Sequence, residues 1–148
     1  MYPLTFYIKS GKIPSGFAGL TFGPVVLIDE AYRDDRGLLV HELTHVQHWA
    51  VLTALCSAVL WWLMPYDNVW TQLAISATIY GLLYQIVAPF RLWAEIHCYR
   101  RQLAVYRDEG MSEPELARRK SRLAQIIMTK YDDAHGSRSQ QWIESRLQ

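Results

Sequence analysis

Between residues 49 and 90 the chain carries a single charged side chain, Asp67, in 42 positions. A helix at a protein surface shows one polar face, so a stretch this uniform has to be covered on most of its circumference. No Gly or Pro occurs between Gly37 and Pro65, and Pro65-Tyr-Asp-Asn68 has the composition of a turn. A second apolar segment then runs from Val69 to about Ala88, where Pro89 interrupts it. The middle of the chain is therefore read as a helical hairpin. Two coverings are compatible with it. In one, residues 49 to 90 contact or enter a membrane: the second arm approaches the ~20 residues of a span, and the first borrows length from the helix before it. Trp49, Trp61, Trp62, Tyr66 and Trp70 lie near the ends, as interfacial aromatics do. Arg91, Arg100 and Arg101 follow the hairpin while only Asp67 marks its far turn, which puts the remainder of the chain on the cytoplasmic side. In the other, the hairpin is the core of a small soluble protein, with Gln72, Gln85 and several Ser and Thr among its polar positions.

The flanks are ordinary by contrast. Residues 91 to 148 hold eleven Arg or Lys and eight Asp or Glu, and the whole chain of 148 residues has a net charge of +1. One domain over residues 1 to 148 is the economical expectation. The balanced charge gives no reason to expect a nucleic-acid partner. Two cysteines, Cys56 and Cys98, imply no disulfide framework. The opening Met-Tyr-Pro-Leu-Thr-Phe-Tyr lacks a basic leader and a long apolar run, so no cleavable signal is expected.

Before the hairpin, residues 4 to 29 alternate β-formers with Ser10-Gly-Lys, Pro14-Ser-Gly and Gly23-Pro turns, which predicts two or three short strands in an antiparallel sheet. Asp34 and Asp35 are good N-caps, so a helix should begin close to Arg36. After the hairpin, residues 91 to about 108 read as a helix ending near Gly110. Ser112-Glu-Pro-Glu115 is a capping box that opens a charged helix to about Tyr131, and Ser137-Arg-Ser-Gln140 opens a short last one. The class is α+β: a small N-terminal sheet, one central helix, the apolar hairpin and C-terminal helices.

The chemistry is concentrated in His41-Glu42-Leu43-Thr44-His45, the HExxH pattern. Residues four apart on an α-helix share a face about one turn, ~5.4 Å, apart, so both imidazoles can converge on one Zn²⁺. Glu42 then lies beside the metal, placed to take the proton of an activated water during attack on a carbonyl and to hand it to the leaving amine.

On these residues the chain resembles the zincin metallopeptidases, and specifically the gluzincin branch, whose third zinc ligand is a Glu on a later helix. The resemblance implies a minimal zincin-like fold, Zn²⁺ as cofactor, Glu42 as catalytic base, His41 and His45 as metal ligands, and a polypeptide substrate. Gln47, His48, Trp49 and Ala50 after His45 lack the Gly and third His of the metzincin extension. The run Glu95-Ile-His-Cys-Tyr99 is similar to the glutamate helix, which makes Glu95 the expected third ligand. It departs from the family where many members place an Asp four positions after that Glu; Tyr99 stands there. His48, seven residues from His41, is roughly 10 Å along the axis and too far to share the metal. His97, two residues from Glu95, faces another side of its helix. Tyr99, Tyr131 and His135 are the available oxyanion donors and the sequence singles out none. In zincins the strand before the active helix commonly binds substrate by strand addition, a role that falls on residues 25 to 28 unless they are a core strand.

The stretch from Leu38 to Gln47 also looks like small HExxH proteins encoded with phage tails and contractile injection systems, and the order of parts is similar to integral-membrane metallopeptidases with an apolar hairpin between HExxH and the distal Glu. Three functions follow as expectations: a metalloendopeptidase, a hydrolase of peptidoglycan stem peptides in a phage or injection particle, and a non-catalytic structural or membrane component whose metal ties helices together.

Overall fold

The computed structural model describes residues 3–9, 12–14, 16–63, 68–131, 136 and 138–147. Among the described residues, three strands, β1 (Leu4–Ile8), β2 (Gly19–Phe22) and β3 (Val25–Asp29), are followed by five α-helices: α1 (Arg36–Leu63), α2 (Val69–Ile86), α3 (Ala88–Asp108), α4 (Glu113–Lys130) and α5 (Gln140–Arg146). The class is α+β, as the sequence pattern predicts.

The sheet departs from the antiparallel expectation. Its order is β1-β3-β2, with β1 parallel to β3 and β2 antiparallel to it. The short Gly23-Pro24 connection makes a hairpin of β2 and β3, Gly23 supplying its φ of +57°. β1 pairs on the far side of β3, with Leu4 opposite Val25 and Ile8 opposite Asp29. Val26, Ile28 and Asp29 of the central strand are buried.

Asp35 caps α1, its Oδ1 accepting the Leu38 N–H at 2.9 Å. The helix then runs unbroken for 28 residues into the apolar segment. Residues 64 to 67, where the hairpin turn was expected, lie outside the described residues. Asn68 caps α2 through the N–H groups of Trp70 and Thr71 at 3.1 and 3.3 Å. Pro89 does not break a helix; it occupies the first turn of α3, where its missing N–H costs nothing. Extended Val87 separates the two helices, which bend by 99° there. Gly110, at φ +87°, closes the turn after α3. At the start of α4 the Glu115 carboxylate accepts from the Ser112 N–H at 3.2 Å and hydroxyl at 2.5 Å, the expected capping box. Ser139 caps α5 through the Trp142 N–H.

The main apolar cluster joins α3, α4 and α5: Leu92, Leu103, Tyr106, Leu116, Leu123, Ala124, Ile127, Ile143 and Leu147. Among the described residues, none from 49 to 86 belongs to this cluster.

α1 and α3 cross closely because Gly37 lets the Tyr106 ring approach the first turn of α1. A Cβ at position 37 would lie 2.3 Å from that ring. The ring is pinned by its hydroxyl, which donates to the Asp35 carboxylate at 2.8 and 3.0 Å and accepts from the Gln102 amide at 2.8 Å. Gly37→Ala should therefore destabilise the protein by about 1 to 3 kcal/mol through overpacking, although Ala is the better helix former by roughly 1 kcal/mol. The check is a lowered midpoint in thermal unfolding; an unchanged or raised midpoint would show that the crossing is looser than described.

Candidate metal centre

Four polar side chains that a chain ordinarily keeps in water are buried where α1 meets α3: His41, Glu42 and His45 from α1, and Glu95 from α3, only 2% exposed. Burying an ionised carboxylate without partners costs several kcal/mol, so the surroundings of Glu95 define the site. Its Oε1 lies 3.3 Å from His45 Nε2, and its Oε2 lies 3.7 Å from His41 Nε2. The Tyr84 hydroxyl also donates to Oε1. Burial opposes ionisation of Glu95, but the contacts with His45, His41 and Tyr84 overcome it and hold the carboxyl down at about 2. Burial keeps His41 neutral, lowered to about 4, which is the form a metal requires.

The geometry suits a metal ion. Ligand atoms about 2.0 to 2.1 Å from a tetrahedral metal stand roughly 3.3 Å apart, close to the two His–Glu separations. Glu95 Oε2 and His41 Nδ1 are buried and, by hydrogen-bond geometry, unpaired among the described residues. His45 Nδ1, in contrast, meets the Tyr80 hydroxyl at 2.9 Å, which orients the ring and leaves Nε2 directed at Glu95. Cys98, one turn beyond Glu95, is fully buried, and with His41 and His45 it forms a group of metal-ligating atoms within 4.8 Å of one another. The buried His41, His45 and Cys98 could thus hold a metal ion. Burial pushes the Cys98 thiol well above its ordinary range, so it would ligate only after losing its proton to a bound metal.

Glu42 stands apart from this set. The Thr21 hydroxyl of β2 donates to its Oε2 at 2.6 Å, and burial raises its carboxyl above the usual range. Gly19 permits the contact: a Cβ there would come within 2.5 Å of Glu42 Oε1. An open cleft runs past these groups between β2, α1, the lower part of α2, α3 and the end of α4, bordered by Tyr84, Tyr99 and Tyr131.

Among the expected residues, Glu95 and not His97 faces His41 and His45. His48 and His97 pair with each other, Nε2 to Nδ1 at 2.7 Å, and stack beside Trp93. Tyr99 packs its ring on His41 at 4.4 Å between centroids, in the position where the resemblance leads one to look for a carboxylate. His135 lies outside the described residues. The substrate-edge role expected for residues 25 to 28 is overturned: β3 is the central strand, paired on both sides, and β2 is the edge next to α1. Tyr80, Tyr84 and Thr21 were not singled out in sequence, because their partners lie 35, 11 and 21 residues away. Cys98 carried a signal, its three-residue spacing from Glu95 on one helix face. No family model, curated protein or solved structure matches the chain.

Removing the Tyr80 hydroxyl isolates the support it gives His45. Tyr80→Phe should weaken metal affinity by about 10- to 100-fold, as loss of a hydrogen bond to a ligating histidine does, without lowering saturating stoichiometry. Competition titration against a chromogenic chelator measures it, and an unchanged affinity would remove Tyr80 from the site.

Proposed function

We propose that this chain is a zinc-dependent metallopeptidase, with His41, His45 and Glu95 holding Zn²⁺ and Glu42 serving as general base. The observation that carries the reading is the division of labour between the two buried carboxylates. Glu95 is held ionised by two histidines, whereas Glu42, one residue from His41, touches neither and is fixed by Thr21 at the cleft. A helix-tying metal alone would not call for the second carboxylate. Two imidazoles and a carboxylate make a catalytic type of zinc set. When bound, zinc would lower the pKa of a water toward ~7 and polarise a carbonyl.

The chain's own groups account for the remaining steps. Glu42, raised in pKa by burial, is a competent acceptor for the proton of the attacking water and can return it to the departing amine. Thr21 keeps its carboxylate from rotating away. β2 offers an unpaired strand edge along the same cleft, which suits an extended polypeptide laid beside Glu42.

Glu42→Gln should retain zinc while slowing hydrolysis by about 10² to 10⁴-fold. Unstructured polypeptides and peptidoglycan stem peptides are the substrates to compare, with product release followed by mass spectrometry. Wild-type turnover in this variant would rule Glu42 out as the base.

One observation favours a second reading, a structural metal. If Cys98 joined His41, His45 and Glu95, four protein donors would close the coordination sphere and leave no place for water. The substitutions separate the two. On the catalytic reading Cys98→Ala keeps about one equivalent of zinc and Glu95→Ala loses most of it. A protein that loses its metal on removal of Cys98 is structural.

A further inference from the structure

The hairpin of α1 and α2 is built inside out. On α2 the buried residues are Gln72, Ser76 and Tyr80, a polar stripe at four-residue spacing turned toward α1. The half-buried stripe of α1 includes Thr53, Cys56 and Ser57. The outer surface carries Val51, Leu55, Val59, Trp61, Trp62, Trp70, Leu73, Ile75, Leu82 and Ile86, all between 40% and 81% exposed. A water-facing hairpin has the reverse arrangement. Two of these polar groups bond within the hairpin, the Ser76 hydroxyl donating to the Gln72 carbonyl at 2.8 Å and the Trp49 indole to the Ala77 carbonyl at 2.9 Å, while the buried Thr53 and Ser57 hydroxyls make no hydrogen bond among the described residues. Bonding within the hairpin is the rule for a helix whose outside cannot hydrogen-bond.

We infer that the hairpin inserts into a lipid bilayer, with the His41–Glu95 centre held at the membrane surface. Dimensions and charge single out lipid as the occupant. From Gln47 to Leu63 and from Trp70 to Ile86 each arm rises roughly 24 Å, close to the ~30 Å hydrocarbon thickness and within what local thinning accommodates. No charged residue interrupts either stretch. Trp61, Trp62 and Trp70 cluster at the far end, and Trp93, 54% exposed, lies at the near one. Both arms end at arginines: Arg91 donates to the Tyr84 and Gln85 carbonyls at 3.2 and 3.1 Å, and Arg101 to the Gln47 side chain. These suit anionic headgroups. α3 then turns 99° from α2 and runs across the base of the hairpin. A second copy of the chain would be expected to meet charged rim groups at an interface; among the described residues of the two arms this surface carries none, and its exposed polar side chains include Asn68, Thr71, Thr78 and Gln85. The inference concerns the hairpin alone and stands whether or not the centre cuts peptides.

The test uses the full purified chain, exchanged from mild detergent into vesicles of phosphatidylcholine and phosphatidylglycerol. Flotation should carry the protein with the vesicles, alkaline carbonate should not release it, and acyl-brominated lipid should quench its tryptophan emission. Replacing Trp61, Trp62 and Trp70 by Phe should remove most of that quenching. Leu55→Lys and Ile75→Lys, at positions 59% and 49% exposed, should each lower the vesicle partition on the order of a hundredfold. Zinc content, read in parallel, reports that the site end remains folded. A protein that leaves detergent as a monodisperse monomer and ignores vesicles would overturn the inference. So would a discrete detergent-free oligomer that buries Leu55 and Ile75 against a second copy.

Discussion

The packing of α1 against α3 around Glu95 is the interaction on which the rest depends. A carboxylate 2% exposed is tolerable only because two imidazoles and a tyrosine hydroxyl surround it. Those partners come from α1 and α2, so all three helices must be in place before the charge is compensated. Gly37 sets how near α1 and α3 can come, and the Asp35–Tyr106–Gln102 chain of hydrogen bonds locks that approach beside His41. The same contacts that cap α1 therefore fix the angle at which its histidines meet Glu95.

Stability and chemistry are segregated along the chain. The apolar cluster that supplies most of the burial belongs to α3, α4 and α5, while the sheet mainly positions one edge strand against Glu42. α2 has a double role. Its polar stripe faces α1 for its whole length, and the lower end of that stripe provides Tyr80 and Tyr84 to the ligating groups. The apolar arm and the candidate metal centre are thereby joined through one helix: a change in the tilt of α2 moves the hydroxyls that touch His45 and Glu95.

The two carboxylates show how environment divides like groups. Glu42 and Glu95 are comparably buried, yet Glu95 is driven below the ordinary carboxylate range and Glu42 above it. The difference is the neighbours: His45, His41 and the Tyr84 hydroxyl lie against Glu95, whereas at Glu42 burial outweighs the Thr21 hydroxyl and the more distant His45. Carboxyls set apart in this way by their surroundings are candidates for different roles.

Local features of this protein were legible in its residues. One-turn spacing put His41 and His45 on a common face, Asp35, Ser112 and Gly110 marked helix ends, and the charge-free run announced a hairpin, because each follows from periodicity or capping within a few positions. Glu95 was legible only by resemblance, since nothing local distinguishes it from other helical glutamates. Strand order was not legible: β1 and β2 compete for the two sides of β3, and the choice rests on long-range register. Nor was the direction in which the hairpin's polar stripe faces, for a helix with apolar residues on most of its circumference has almost no amphipathic signal. Thr21, Tyr80 and Tyr84 gained their roles only from the tertiary structure, because contacts between side chains tens of residues apart are set by helix crossing and not by spacing.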